Sequence, residues 1–212
     1  MHISEGVLSP EVLAAGAVLA ACGVALGLRA LKDDSRLMTT GILSAAFFVG
    51  SLVHVPLGPG NVHLLLVGSI GMLLGWAAFP AICVALVLQA VLFQFGGITT
   101  LGVNTLTMAL PAVLCCYAFK KMLHSASPRK RQLAGFLCGS LSVAGSALLT
   151  ALALALANEA FLPSAKLLLL AHLPVMVLEG FLAVFLLGFL SKVRPELLQI
   201  STPSPKGDTD LA

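Results

Sequence analysis

The sequence predicts an all-α, polytopic transmembrane helical bundle of seven helices, with the N-terminus outside and the C-terminus cytoplasmic. Three observations carry this reading. Hydrophobic residues make up 58% of the 212 and charged residues 10%, against about 25% charged in a soluble domain. Mean hydropathy is +1.03. No Asp, Glu, Lys or Arg occurs from Leu37 to Phe119, a stretch several times the roughly 20 apolar residues that cross a bilayer. This composition excludes an ordinary soluble enzyme, a disordered chain and a nucleic-acid binder.

The first span runs about Pro10–Leu31 and opens with Ser9-Pro10, a favourable helix start. The second runs about Met38–Val55 and stops before Pro56. The third is short, about Asn61–Leu74, and the fourth, about Ala77–Phe95, follows the thin separator Gly75-Trp76. The fifth runs about Leu101–Leu123, the sixth about Gln132–Asn158 and the seventh about Ala165–Ser191. Small residues recur at four-residue spacing at Ala17, Ala21 and Ala25, at Gly23 and Gly27, at Gly41 and Ala45, and at Ala46 and Gly50. Such spacing lets helices approach closely.

Cytoplasmic loops of membrane proteins are enriched in Lys and Arg. Seven spans with an external N-terminus put Arg29, Lys32, Arg36, Lys120, Lys121, Arg129, Lys130, Arg131, Lys192, Arg194 and Lys206 on the cytoplasmic side, leaving only Lys166 outside. Residues 1–198 form one transmembrane domain, and 199–212 a flexible cytoplasmic tail. The five cysteines lie in apolar segments with no CxxC pair and read as small buried hydrophobes. The N-terminus has no basic residue and no signal-cleavage pattern. The chain is therefore expected to begin at Met1, with the bulky His2 protecting the initiator methionine from removal.

Three segments are then external: the terminus, the loop His54–His63 and the loop Gln94–Thr100. The α-amine of Met1, the next backbone amide and the His2 imidazole form a chelating set. Amine and amide nitrogens close a five-membered ring, and amide nitrogen with imidazole Nδ1 closes a six-membered one. In-plane nitrogen sites of this kind suit Ni(II) and Cu(II) and accept Co(II). The amide must lose its proton, so binding depends on pH. The bland alternative is a disordered terminal histidine, but an apolar span follows almost at once and holds this terminus at the membrane surface.

His63 is the best candidate for a fourth nitrogen, with His54 nine residues earlier as a weaker one; either also reads as a hydrogen-bonded interfacial histidine. His172 and Glu179 share a face of the last span. Intramembrane ionisable groups line paths or lock helices together. Gln89 and Asn104 are amides inside apolar spans, suited to bridging helices or to holding a histidine tautomer. His124 sits in a basic loop as a bystander. No phosphate-binding GxxxxGK[ST] and no HExxH occurs. Energy for transport must therefore come from a partner or an ion gradient, and Glu179 and Glu159 are a small inventory for a proton relay.

The segments Met1–Pro10, Val62-His63-Leu64, Leu88–Phe93, Gly96–Asn104, His172-Leu173-Pro174 with Glu179-Gly180, and Val193–Leu197 together resemble the CbiM/NikM family. Members are the metal-specific substrate-binding (S) components of energy-coupling factor (ECF) transporters for cobalt or nickel. The resemblance covers about Met1 to Leu198. It implies seven helices, an N-terminal segment tucked into the bundle, and a metal held by the Met1 amine, the His2 amide and imidazole, and His63.

It also implies a transmembrane coupling subunit, two cytoplasmic ATPase subunits and often a small auxiliary membrane protein, in a prokaryotic plasma membrane. The chain is then no enzyme and has no permanent cofactor, and Co(II) or Ni(II) is its cargo, with a lean to cobalt. Two positions depart from the family pattern: Gly58–Asn61, where Thr-Ser is more usual before Val-His, and Phe95, where many members carry an acid. The competing readings are an ion-gradient-driven secondary transporter of a small solute and an intramembrane enzyme. Only the metal reading requires a free N-terminus.

Overall fold

A computed structural model of the chain describes residues 2–31, 33–52, 54–57 and 60–198; for 54–57 and 60–63 it describes the backbone. Met1 and the tail 199–212 lie outside these residues. The described elements are α1 (Pro10–Ala30), α2 (Asp34–Gly50), β1 (His54–Leu57), β2 (Gly60–His63), α3 (Val67–Leu74), α4 (Ala78–Phe93), α5 (Leu101–Leu123), α6 (Pro128–Ala157) and α7 (Leu162–Val193). Short 3-10 turns at Gly75–Ala77, Glu159–Phe161 and Pro195–Leu198 punctuate them.

Among the described residues, five stretches are long and apolar enough to cross a membrane: Pro10–Ala30, Val67–Phe93, Leu101–Leu123, Pro128–Ala157 and Glu159–Val193. Ile42, Leu156, Phe181 and Phe185 are exposed on the outer surface. A monomeric soluble protein rarely presents so much apolar area. The chain is a multi-pass membrane protein.

The expected second and third spans need correction. Helix α2 ends at Gly50, and α3 begins only at Val67. Between them the chain forms an antiparallel hairpin in which His54 pairs with His63, Val55 with Val62, Pro56 with Asn61 and Leu57 with Gly60. Pro56 accounts for part of this, because a proline interrupts helical hydrogen bonding and holds its predecessor extended. Helix α3 has eight residues and is about 12 Å long, less than half the roughly 30 Å hydrocarbon core. It ends at Gly75, where φ is +56°.

The core is formed by α6 packed along α7, α5 along α6, and α3 wedged between α5 and α6. Helix α1 lies on α5, and α2 lies on α4. Helices α6 and α7 approach closely at Gly139, where a Cβ would stand 2.5 Å from the Glu179 carbonyl oxygen. On α1 the packing face is Gly16, Ala20, Gly23 and Gly27. The Ala17-Ala21-Ala25 stripe is instead exposed, as is the Gly41-Ala45 pair of α2.

Candidate metal site at the N-terminal plug

The first residues do not trail into solvent. His2 is 2% exposed and Ile3 fully buried. Two amides hold them there. Asn104, in the first turn of α5, accepts from the Ile3 N–H at 2.9 Å and donates from Nδ2 to the Ile3 carbonyl at 3.1 Å. The side chain thus pairs with one residue of backbone as a neighbouring strand would. Gln89, near the end of α4, meets His2 Nε2 through Oε1 at 2.7 Å.

The orientation of the Gln89 amide is determined by its other end. Its Nε2 donates to the Phe48 carbonyl at 3.2 Å and to Ser51 Oγ, so Oε1 must face the imidazole. A carbonyl oxygen only accepts, so His2 Nε2 carries the proton. In a neutral imidazole this leaves the lone pair on Nδ1, the nitrogen that a six-membered chelate ring with the His2 amide requires.

The plug has a latch on its far side. Glu5 Oε1 accepts from the Thr99 N–H at 3.1 Å. Gly97 sits at φ +154°, and any Cβ there would collide with the Glu5 side chain. Gly96, at φ +76°, presses against Asn104 Nδ2 and the His2 ring. This is why the loop after α4 contains two glycines: the N-terminal segment occupies the volume their side chains would take. The Phe95 ring, at one of the two family departures, lies beside the imidazole with centroids 6.5 Å apart.

The sequence-derived candidates divide into groups. His2, Gln89 and Asn104 converge on the plug. Met1 lies outside the described residues, as do the His54 and His63 side chains, although the backbone register makes those two histidines cross-strand partners. His172 and Glu179 are both fully buried on α7. His172 Nδ1 donates to the Leu168 carbonyl at 2.7 Å, and Nε2 has no partner among the described residues. Glu179 Oε1 instead accepts from the N–H groups of Leu65 and Leu66 at 2.5 and 2.7 Å.

Among the described residues no group of three His, Cys, Asp or Glu stands together as a metal cluster. The backbone nitrogens and hairpin side chains of the predicted set are of another kind or lie outside those residues. Sequence reasoning missed Ser51, Glu5 and Gly97. The position of Glu5 in the opening motif and the Gly96-Gly97 pair were the available signals.

The site is remote from the basic end of the bundle. Asn104 and Lys120 lie sixteen residues apart on α5, about 24 Å along its axis. Gly135, just after Arg129–Arg131, packs on Leu187 near the end of α7. The basic ends of α5, α6 and α7 therefore gather on the side opposite the plug.

Comparison with known proteins bears on what such a plug is for. Residues 2–197 match the model of the CbiM family, described as the cobalt uptake substrate-specific transmembrane region. A Haemophilus influenzae relative assigned to metal transport is 44% identical over 200 residues, covering 93% of this chain and 97% of its own. The fused nickel transport protein NikMN of Rhodobacter capsulatus is 34% identical over 159 residues, covering 71% of this chain and 46% of its own. A crystal structure of a truncated transition metal transporter superposes with a TM-score of 0.78 at 25% identity, covering 91% of this chain and 99% of that one.

Proposed function

Since the chain belongs to the CbiM family of cobalt uptake substrate-specific transmembrane regions, and is a membrane component of cobalt or nickel transport, we propose that it captures the divalent ion at its plugged N-terminus. The ligands are the Met1 α-amine, the His2 amide and Nδ1, and the His63 imidazole. The observation that carries this reading is the Gln89–His2 bond. It holds the imidazole in the one neutral tautomer able to chelate together with its own backbone amide.

The metal sheds its water to enter this nitrogen set, displacing the amide proton. Asn104 and Glu5 keep the chelating backbone from swinging away. Gln89 fixes the ring, and its acceptor oxygen makes the imidazole a better donor. The basic ends on the far side support an external plug and a cytoplasmic C-terminus. The fused nickel relative supports work alongside further transport subunits.

In this reading a transmembrane coupling subunit, two ATPase subunits and in some systems a small auxiliary membrane subunit drive an ECF-type cycle that opens the site inward. The cargo is Co(II) or Ni(II), and the family description supports cobalt. The test is calorimetric titration of the purified chain with Co(II) and Ni(II), comparing the native terminus with one extended by a single residue. Tight binding lost on extension is expected. Equal binding by both forms would place the site elsewhere, and metal uptake by the isolated chain without ATP at a comparable rate would remove the ATP-driven cycle.

A further inference from the structure

Helix α3 starts inside the bundle, and this creates a problem that the proposed ligand set does not solve. The N-terminal N–H groups of a helix have no intrahelical partners. Where water is scarce, each unpaired group costs several kcal/mol. The N-terminus of α3 lies at mid-bundle depth, since Gly68 packs on the backbone of Cys138 and Gly139, and Gly139 in turn packs on Glu179, the eighteenth residue of the 32 in α7. Capping by Ser, Thr, Asp or Asn is impossible here, because the residues before Val67 are three leucines.

Glu179, on another helix, satisfies one of these groups, the Leu66 N–H, together with the Leu65 N–H just before it. Its Oε1 accepts both the Leu65 and Leu66 N–H groups, and the whole residue is buried. Leu66 sits at φ +52°, so the chain turns sharply where the carboxylate grips it. The hairpin strand β2 ends at His63, two residues before the grip begins at Leu65, and both strands lie against α7. The carboxylate therefore sets where the end of β2 is placed relative to α7.

We infer that Glu179 is a positioning residue for the hairpin histidine. It anchors the half-helix α3 to α7, and through that anchor it holds His63 at the reach of the N-terminal chelate. This rests on the proposed ligand role of His63 and adds the group that makes that ligand's position definite. Glu179 touches no metal. It works by accepting two hydrogen bonds, so an acceptor oxygen of the right length is required and the negative charge itself is secondary.

The test is a double-mutant cycle on the full chain with its native N-terminus. It is read by Ni(II) titration and by the visible spectrum of the Ni(II) complex, which reports the number of in-plane nitrogens. Glu179→Ala is expected to weaken binding about 10- to 100-fold, the range for losing an orienting partner. It should also shift the spectrum to the three-nitrogen form given by His63→Ala. Adding Glu179→Ala to His63→Ala should change affinity by less than about twofold, because both act on one ligand. Glu179→Gln keeps an acceptor oxygen and should stay within a few-fold of the native chain with a native spectrum.

Glu179→Asp withdraws the acceptor by one methylene while keeping charge and fold. It covers the case in which the alanine variant does not fold, and should give the partly shifted spectrum. Additive losses in the double variant, or a native spectrum in both Glu179→Ala and Glu179→Asp, would overturn the positioning role while leaving His63 as ligand. Glu179→Gln as weak as Glu179→Ala would overturn it in favour of the charge. Native affinity and spectrum in His63→Ala would instead remove the ligand assignment itself, and the positioning role with it.

Discussion

Replacing Gln89 by Met separates the proposed orienting bond from packing, because Met is close in length and shape and is tolerated in cores. Gln89 is fully buried, so no water takes over the lost contacts. Three bonds go: to His2, to the Phe48 carbonyl and to Ser51. Ser51 keeps its own bond to the Phe47 carbonyl at 2.6 Å, so the loss that matters is the acceptor for His2 Nε2–H. A net hydrogen bond contributes about 1 kcal/mol, and a buried donor left unpaired costs about 1–3 kcal/mol. At about 1.4 kcal/mol per tenfold, the first corresponds to roughly fivefold and the second to roughly 5- to 150-fold, a span that brackets the roughly 10- to 100-fold loss of Ni(II) or Co(II) affinity usual on removing an orienting partner of a metal-bound histidine. Part of it arises because the ring is then free to exchange tautomers and present the wrong nitrogen. The assay is metal titration of purified wild type and Gln89→Met, with Phe185→Leu on the exposed face as a control. A folded Gln89→Met protein that binds within about twofold of wild type would refute the tautomer argument.

Three further outcomes follow from the same geometry. Asn104→Leu removes both bonds to Ile3, leaves two backbone groups unpaired, and should lower thermal stability by about 2 kcal/mol and metal affinity at least tenfold, measured by melting and titration. Gly97→Ala drives a methyl into Glu5 and strains φ; it should weaken binding more than Glu5→Gln, and equal effects would show that the latch hydrogen bond rather than the packing matters. Protons compete with the metal for the amine, the amide and the imidazoles, so affinity should rise with pH between about 6 and 8, by roughly tenfold per unit or more, and a flat profile would exclude a deprotonated amide ligand.

Long apolar stretches were legible because the membrane imposes a length on them. The fifth span, Leu101–Leu123, coincides with α5 residue for residue. The first, sixth and seventh differ from α1, α6 and α7 by a few residues at their ends. The sixth was read too short at its start because Arg129–Arg131 look like loop, whereas Ser127-Pro128 opens a helix whose first turns are basic. The region 51–66 was misread for a different reason. Hydropathy records whether a segment avoids water, and an apolar hairpin avoids it as well as a helix does. Which small residues face inward was equally beyond the pattern: Gly16, Gly23 and Gly27 pack on Val103, Phe79 and Pro80, whereas of the evenly spaced Ala17-Ala21-Ala25 set Ala17 meets Gly102 of α5.

The proposed site is legible in the sequence to the extent that its chemistry is local. An amine, an amide and an imidazole within two residues are a chelate on paper, whatever the fold. The supports are distant: Gln89 and Asn104 reach His2 and Ile3 across 87 and 101 positions, and Glu179 reaches Leu65 across 114. Buried polar side chains in apolar helices still mark where such supports must be, because an amide or carboxylate in that setting is costly unless it is hydrogen-bonded; Glu179 bonds through Oε1 alone. Of the three, Gln89 turns its acceptor to an imidazole, Asn104 grips a backbone and Glu179 holds the turn that leads into a half-helix. The difference follows from what each meets: a ring nitrogen bearing a proton, a peptide unit presenting both donor and acceptor, and two N–H groups with no carbonyl beside them. In each case the side chain contributes the half of the hydrogen-bonding set that the incoming segment lacks. A terminus that serves as a ligand inside the bundle, as proposed here, needs such fixed partners, since nothing covalent restrains a free end.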